Sequence, residues 1–267
     1  MRLAFVVGSA YEKNGQLPLL SSVEIDGQYL ARRLALDDVG ATVVELPAER
    51  GVAERIEQAL TDQPGPIESV LVVFSGYGVY SKDRGAALLL DGDRLGTFSF
   101  VRLRSLLERY AEASCVIAEV LMIGEGAADL NAASGAIHGA LTERHARGTC
   151  GLIALRPSEE RETNEPVVAA MVTAALDWLS ASGGESTISI ATLFEQLKTD
   201  ERFASLPLMR LVTSASPFLL VGKNGKGTAR AQRISAVPAA PPPAGGWPET
   251  ITAPPPAVAA VAAPAPV

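Results

Sequence analysis

The apolar positions of the chain fall into two alternating kinds of run. Leu3–Val7, Ala41–Leu46, Ser69–Phe74, Cys115–Ile123 and Cys150–Leu155 are short and almost continuously apolar. Runs of that kind suit strands buried on both faces of a parallel sheet. Between them the apolar residues spread to a helical spacing. Ser22–Leu36 carries Val23, Ile25, Leu30 and Leu34, and Val52–Leu60 carries Ile56, Ala59 and Leu60. Phe100–Tyr110, Ala127–Arg147, Val167–Leu179 and Ile190–Leu197 complete the helical set. Ser21 or Ser22 is suited to cap the first helix, and Gly40 and Gly148 to close helices. Asp62–Pro66 predicts a turn, Gly85–Leu90 part of a small hairpin ending in Asp91-Gly92-Asp93, and Phe218–Val221 a last short strand.

Strands alternating with helices imply βαβ units. The expected fold is α/β, with a mainly parallel six-stranded sheet and helices on both faces. Ligand and catalytic groups in such sheets gather at the C-terminal ends of the strands. Two segments occupy that edge, both read as loops: Phe74-Ser75-Gly76-Tyr77-Gly78 after the third strand, and Glu119 to Gly124 at the end of the fourth.

Composition narrows the function classes. Of 267 residues, 48% are hydrophobic and 20% charged, as in a globular domain. A net charge of −7 without a basic cluster argues against nucleic acid as partner. No apolar run approaches the roughly 20 residues that span a bilayer, and Leu3–Val7 is too short for a signal sequence. A cytoplasmic location follows as the expectation, with Cys115 and Cys150 as free buried thiols. After Gly222 the character changes. Gly222–Thr228 is no phosphate loop, because Gly227 is followed by Thr228 with no lysine between. Beyond Val237 the chain is rich in Pro and Ala, as a linker or tail is. The expected organisation is a domain over residues 1–222, a flexible exit over 223–237 and a linker or tail over 238–267.

The two edge segments carry a resemblance. Caspase-like and metacaspase-like peptidases of the C14 type bear a Phe-Ser-Gly-His-Gly segment with the base and an Asp-Ala-Cys-x-Ser-Gly segment with the nucleophile. Phe74-Ser75-Gly76 and Gly78 match the first, and Glu119 and Gly124 match the frame of the second. The opening Gly8-Ser9-Ala10-Tyr11, the helix containing Asp26 and the segment Ser216–Leu220 are similar to further family features, so the resemblance covers roughly residues 1–221. It implies a caspase-like three-layer sandwich.

The resemblance also implies a loss. The base position holds Tyr77 and the nucleophile position Leu121. A phenol with a pKa near 10 is a poor base at neutrality, and leucine has no nucleophilic atom. Cys115 lies six residues before Leu121, about 20 Å along a strand, so it does not fill the vacancy. His138 and His145, seven apart on one helix, are separated by about 10.5 Å along its axis, too far to share a metal ion. Asp91-Gly92-Asp93 lacks the ligand ladder of a strong Ca²⁺ site. No metal and no cofactor are therefore expected.

The pocket candidates are Tyr11, Gly76, Gly78, Glu119, Gly124 and Glu125, with Asp91 and Asp93 nearby. An acidic pocket with aromatic walls would take a basic side chain, or Tyr77 and Leu121 would fill and close a defunct cleft. The expected function is a catalytically inactive caspase-like domain, an interaction or regulatory module with one or more protein partners. Two alternatives stand beside it: an active C14-type cysteine endopeptidase with relocated groups, and a small-ligand-binding doubly wound domain. The absence of a glycine-rich loop after Val7 counts against the last.

Overall fold

The computed structural model describes residues 1–9, 17, 20–35, 41–46, 51–91, 96–142, 149–158, 167–181, 189–204 and 206–211. In chain order the elements are β1 (Arg2–Ser9), α1 (Ser21–Leu34), β2 (Thr42–Leu46), α2 (Val52–Thr61), β3 (Ile67–Ser81), β4 (Gly85–Asp91) and β5 (Gly96–Ser99). They continue as α3 (Phe100–Tyr110), β6 (Ala111–Ile123), α4 (Glu125–Ala128), α5 (Leu130–Thr142), β7 (Thr149–Pro157), α6 (Val167–Ala181), α7 (Ile190–Thr199) and β8 (Leu208–Leu211).

The sheet runs in the order β2-β1-β3-β6-β7-β8. The first five of these strands are mutually parallel and β8 closes the path antiparallel to β7. β4 leaves the path, pairing antiparallel with β3 and with β5. Among the described residues the sheet thus has eight strands, not the predicted six; the hairpin β4–β5 accounts for the surplus. The strand predicted at Phe218–Val221 lies outside the described residues, as do Gly40, Gly148 and the boundaries at 222 and 237. Among the described residues the path ends on β8, too short to stand out as an apolar run.

Pleating sends alternate side chains of each strand to opposite faces. Leu3, Phe5, Val72, Phe74, Val116 and Val120 pack with α2, α3 and α5 on one face. Ala4, Val6, Leu71, Val73, Cys115 and Ile117 pack with α1, α6 and α7 on the other. This is the predicted helix–sheet–helix layering, and its near-continuous apolar strands follow from burial on both sides.

Three local expectations change. Leu20 occupies the cap position of α1 with no side-chain cap; serine caps appear instead on α3, where Ser99 accepts from Arg102 N–H at 3.2 Å, and on α7, where Ser189 accepts from Thr192 N–H at 3.0 Å. The long helix predicted over Ala127–Arg147 is broken into α4 and α5 at Asp129, whose carboxylate accepts from Ala132 N–H at 2.9 Å. The third and fourth parallel strands run on through both segments read as loops, because β4 pairs with Gly78–Ser81 and the β3–β6 register holds to Val79↔Ile123. No described helix is long and apolar enough to cross a membrane.

Candidate functional site

The extension of β3 and β6 determines the geometry at the sheet's C-terminal edge. Two successive rows cross the three central strands on the α1/α6/α7 face. The inner row is Ser75, Glu119 and Ala154; the outer is Tyr77, Leu121 and Arg156. Two-residue alternation aims all six side chains to the same side.

In the outer row Tyr77 and Leu121 are direct register partners, exposed by 2% and 0%. They form an apolar cluster with Leu20 at the cap position of α1, Val23 within α1 and Leu89 from β4, against which Leu17, Val79 and Ile123 pack. Four elements thus converge on this pair and leave it packed as core, with no described residue bearing an imidazole or thiol beside it. A cavity of about 270 Å³ does exist, between the start of β4, α3 and α5, but its lining (Arg84, Ser99, Val101, Gly139 and Thr142 among others) shares no residue with this cluster.

The inner row holds charge. Glu119 is fully buried and pairs through Oε1 with Nη2 of Arg156, while Ser75 Oγ lies 3.5 Å from Oε2. Arg156 was not among the candidates read from the sequence. A signal for it did exist: one carboxylate inside an otherwise apolar strand requires a buried partner, and Arg156 ends the adjacent apolar run.

The remaining candidates do not converge. Glu125 and Gly124 are exposed at the start of α4, whereas Glu119 is wholly internal, so they share no pocket edge. Gly124 has φ +62° and ψ −135°, a backbone region open essentially to glycine, and it turns the chain from β6 into α4. Gly78 is required by packing, since a Cβ there would collide with Val120 Cγ1. Gly76 lies inside β3, opposite Ser9 and Val120. Tyr11 and Asp93 lie outside the described residues, as does the side chain of Asp91.

The cysteines sit deep in the sheet. Cys115 and Cys150 are register partners on β6 and β7, both buried and free. Burial, with a hydrogen bond to Cys150, pushes the Cys115 thiol well above its ordinary pKa. A thiol so shifted carries little thiolate near neutrality. His138 is exposed on α5, its Nδ1 3.3 Å from Thr142 Oγ1; His145 lies outside the described residues.

No family model and no curated protein matches the chain. Solved structures do. Protein GSU0716 from Geobacter sulfurreducens superposes with a TM-score of 0.55 at 12% identity, over 83% of this chain and 97% of that one. Caspase-1 from Spodoptera frugiperda superposes with a TM-score of 0.51 at 14% identity, over 85% of this chain and 90% of its own. At such identities the likeness is one of fold: the chain has a caspase-like α/β fold.

Proposed function

We propose that this domain is a catalytically inactive relative of the caspase-like peptidases, acting as an interaction or regulatory module for protein partners. The observation that carries the proposal is the state of the outer row. At the ends of β3 and β6, Tyr77 and Leu121 face each other inside a closed apolar cluster. Cysteine proteolysis needs a thiolate, an imidazole within hydrogen-bond reach and space for a scissile peptide. The pair supplies neither group, and Leu20, Val23 and Leu89 occupy the space. Relocation of the nucleophile gains no support from the cysteines, which lie under α6 and α7 in the body of the sheet.

A fold retained without its chemistry is a scaffold, and a scaffold acts through its surface. Tyr77 and Glu119 are inaccessible, so a partner would meet exposed groups such as Glu125, not the buried rows.

Fluorogenic peptides with Arg, Lys or Asp before the scissile bond, assayed with and without Ca²⁺, test the loss of catalysis. No turnover above the uncatalysed rate is expected. Turnover that Cys115→Ala or Cys150→Ala abolishes would overturn the proposal.

A further inference from the structure

The cavity of about 270 Å³ between β4, α3 and α5 takes no part in the site described above, yet its lining is selective. Its floor is small and apolar: Gly85 and Ala86 from β4, with Ala136, Gly139 and Ala140 from α5. Val101, in the first turn of α3, stands at the rim. It is 47% exposed, one of three large apolar side chains so exposed among the described residues. Arg84 brings the one charge in the lining. It sits in the turn between β3 and β4, where its backbone N–H donates to Ser81 Oγ at 3.2 Å. Among the described residues its guanidinium pairs with no carboxylate. In a chain of net charge −7, an unpaired cation beside an apolar cavity suits an anion that carries an apolar group.

Gly139 adds a second observation. Glycine inside a helix is destabilising relative to alanine. Nothing lies within 4 Å of where a Cβ would stand at Gly139, so packing inside the domain does not call for glycine there. Gly135, one turn earlier on the same side of α5, is equally open. The bare helix surface thus leads into the cavity and leaves its mouth wide. Ser99 supplies a donor: its Oγ accepts from Arg102 N–H at 3.2 Å and keeps its own O–H to give. Thr142, also in the lining, is already engaged, since its hydroxyl donates to His138 O at 2.7 Å.

We infer that this cavity docks the C-terminal residue of a partner polypeptide, with its aliphatic side chain on the alanine and glycine floor and its terminal carboxylate on Arg84 and Ser99. A volume just under the roughly 300–1,000 Å³ of small-molecule sites has room for one residue. A chain end carries carboxylate and side chain on the same carbon, so both enter together. An internal Asp or Glu spends its side chain on the guanidinium and leaves the apolar floor empty. The guanidinium receives a carboxylate through two parallel N–H bonds, and that geometry fixes the chain end in one orientation. Docking here rests on the reading of the domain as an interaction module and names the partner's chemistry. Failure to dock would remove this surface and leave the loss of catalysis standing. Peptide turnover would do the reverse.

The test follows the backbone amide resonances of the isotope-labelled full chain during titration with the peptide acetyl-Ala-Ala-Leu. The free acid is expected to give saturable shifts centred on Gly85, Val101 and Gly139. Its C-terminal amide, and amidated acetyl-Ala-Glu-Ala, are expected to bind at least about tenfold more weakly, the loss that one charge-assisted hydrogen bond carries. Isocaproate keeps the tail and the carboxylate without the peptide, and is expected to bind several-fold more weakly than the free acid. Arg84→Gln is expected to lose the preference for acid over amide. Gly139→Leu is expected to melt no lower than the wild type, because leucine favours the helix, and to bind at least about tenfold more weakly. If Gly139→Leu does melt lower, Arg84→Gln, at an exposed turn position, decides the matter. No saturable binding of the free acid, or binding of the amide, the glutamate peptide or isocaproate as tight as that of the acid, would overturn the inference. So would an acid preference that survives Arg84→Gln, or unchanged binding by a folded Gly139→Leu.

Discussion

At the scale of single residues, the chemistry of the site turns on what burial does to each side chain. Cys115 shows this most directly. Burial first, and then the contact with Cys150, holds it as the neutral thiol over a pH range in which an unfolded thiol ionises. The unfolded chain therefore binds fewer protons than the folded one above the ordinary thiol pKa of about 8.5. The stability Cys115 contributes is complete below that value and is lost as pH rises towards its raised folded value. Urea unfolding between about pH 7.5 and about pH 9.5 should show the wild type losing up to about 1.4 kcal/mol per pH unit more than Cys115→Ala in the upper part of that range. Parallel pH profiles for the two proteins would contradict this.

Tyr77 and Leu121 are legible in the sequence through the resemblance of their segments, Phe74-Ser75-Gly76 with Gly78 and Glu119 with Gly124, to those of a known family. Their surroundings are not, because Leu20 and Val23 at the start of α1 and Leu89 on β4 reach them from two separate segments, and no local pattern encodes that meeting. Arg156 was legible only through the demand a buried carboxylate makes on its neighbours.

At the scale of elements, continuous apolar runs and helical spacing locate the parallel strands and helices well. Both kinds of run are consequences of burial, which the sequence records directly. What the spacing obscures are elements defined by pairing. Gly76 and Gly78 look like turn residues, yet β3 passes straight through them because β6 on one side and β4 on the other continue its ladder. Gly78 then serves packing, not bending. β5 and β8, each four residues long, exist through the partners beside them.

The break between α4 and α5 is a further case. Asp129 sits in an alanine-rich segment that reads as one helix, but its side chain caps Ala132 and starts a new one. Asp129→Ala should cost about 1 kcal/mol of stability, the usual loss for a removed cap. Asp129→Asn should keep most of it. Chemical denaturation of the two variants separates these outcomes, and equal losses would show that the cap is not the cause.

At the scale of the whole molecule, the caspase-like fold and the closed apolar cluster at the ends of β3 and β6 are two aspects of one arrangement. The fold brings the ends of β3 and β6 together under the start of α1, where a catalytic pair would need to stand open to substrate. Here the same convergence is filled by an apolar cluster beside the Glu119–Arg156 ion pair. Such a site is core, and it should behave as core towards solvent probes.

The rate at which a thiol introduced at position 121 is labelled measures this most directly. In a Cys115→Ala/Cys150→Ala background, Leu121→Cys provides one reporter between Tyr77 and the first turn of α1. The filled cluster predicts that native-state labelling is slower than in the unfolded chain by at least about a thousandfold, the protection given by an opening cost of about 4 kcal/mol. Labelling within about tenfold of the unfolded rate, in a protein that still unfolds cooperatively, would mean an accessible cleft and would contradict the account.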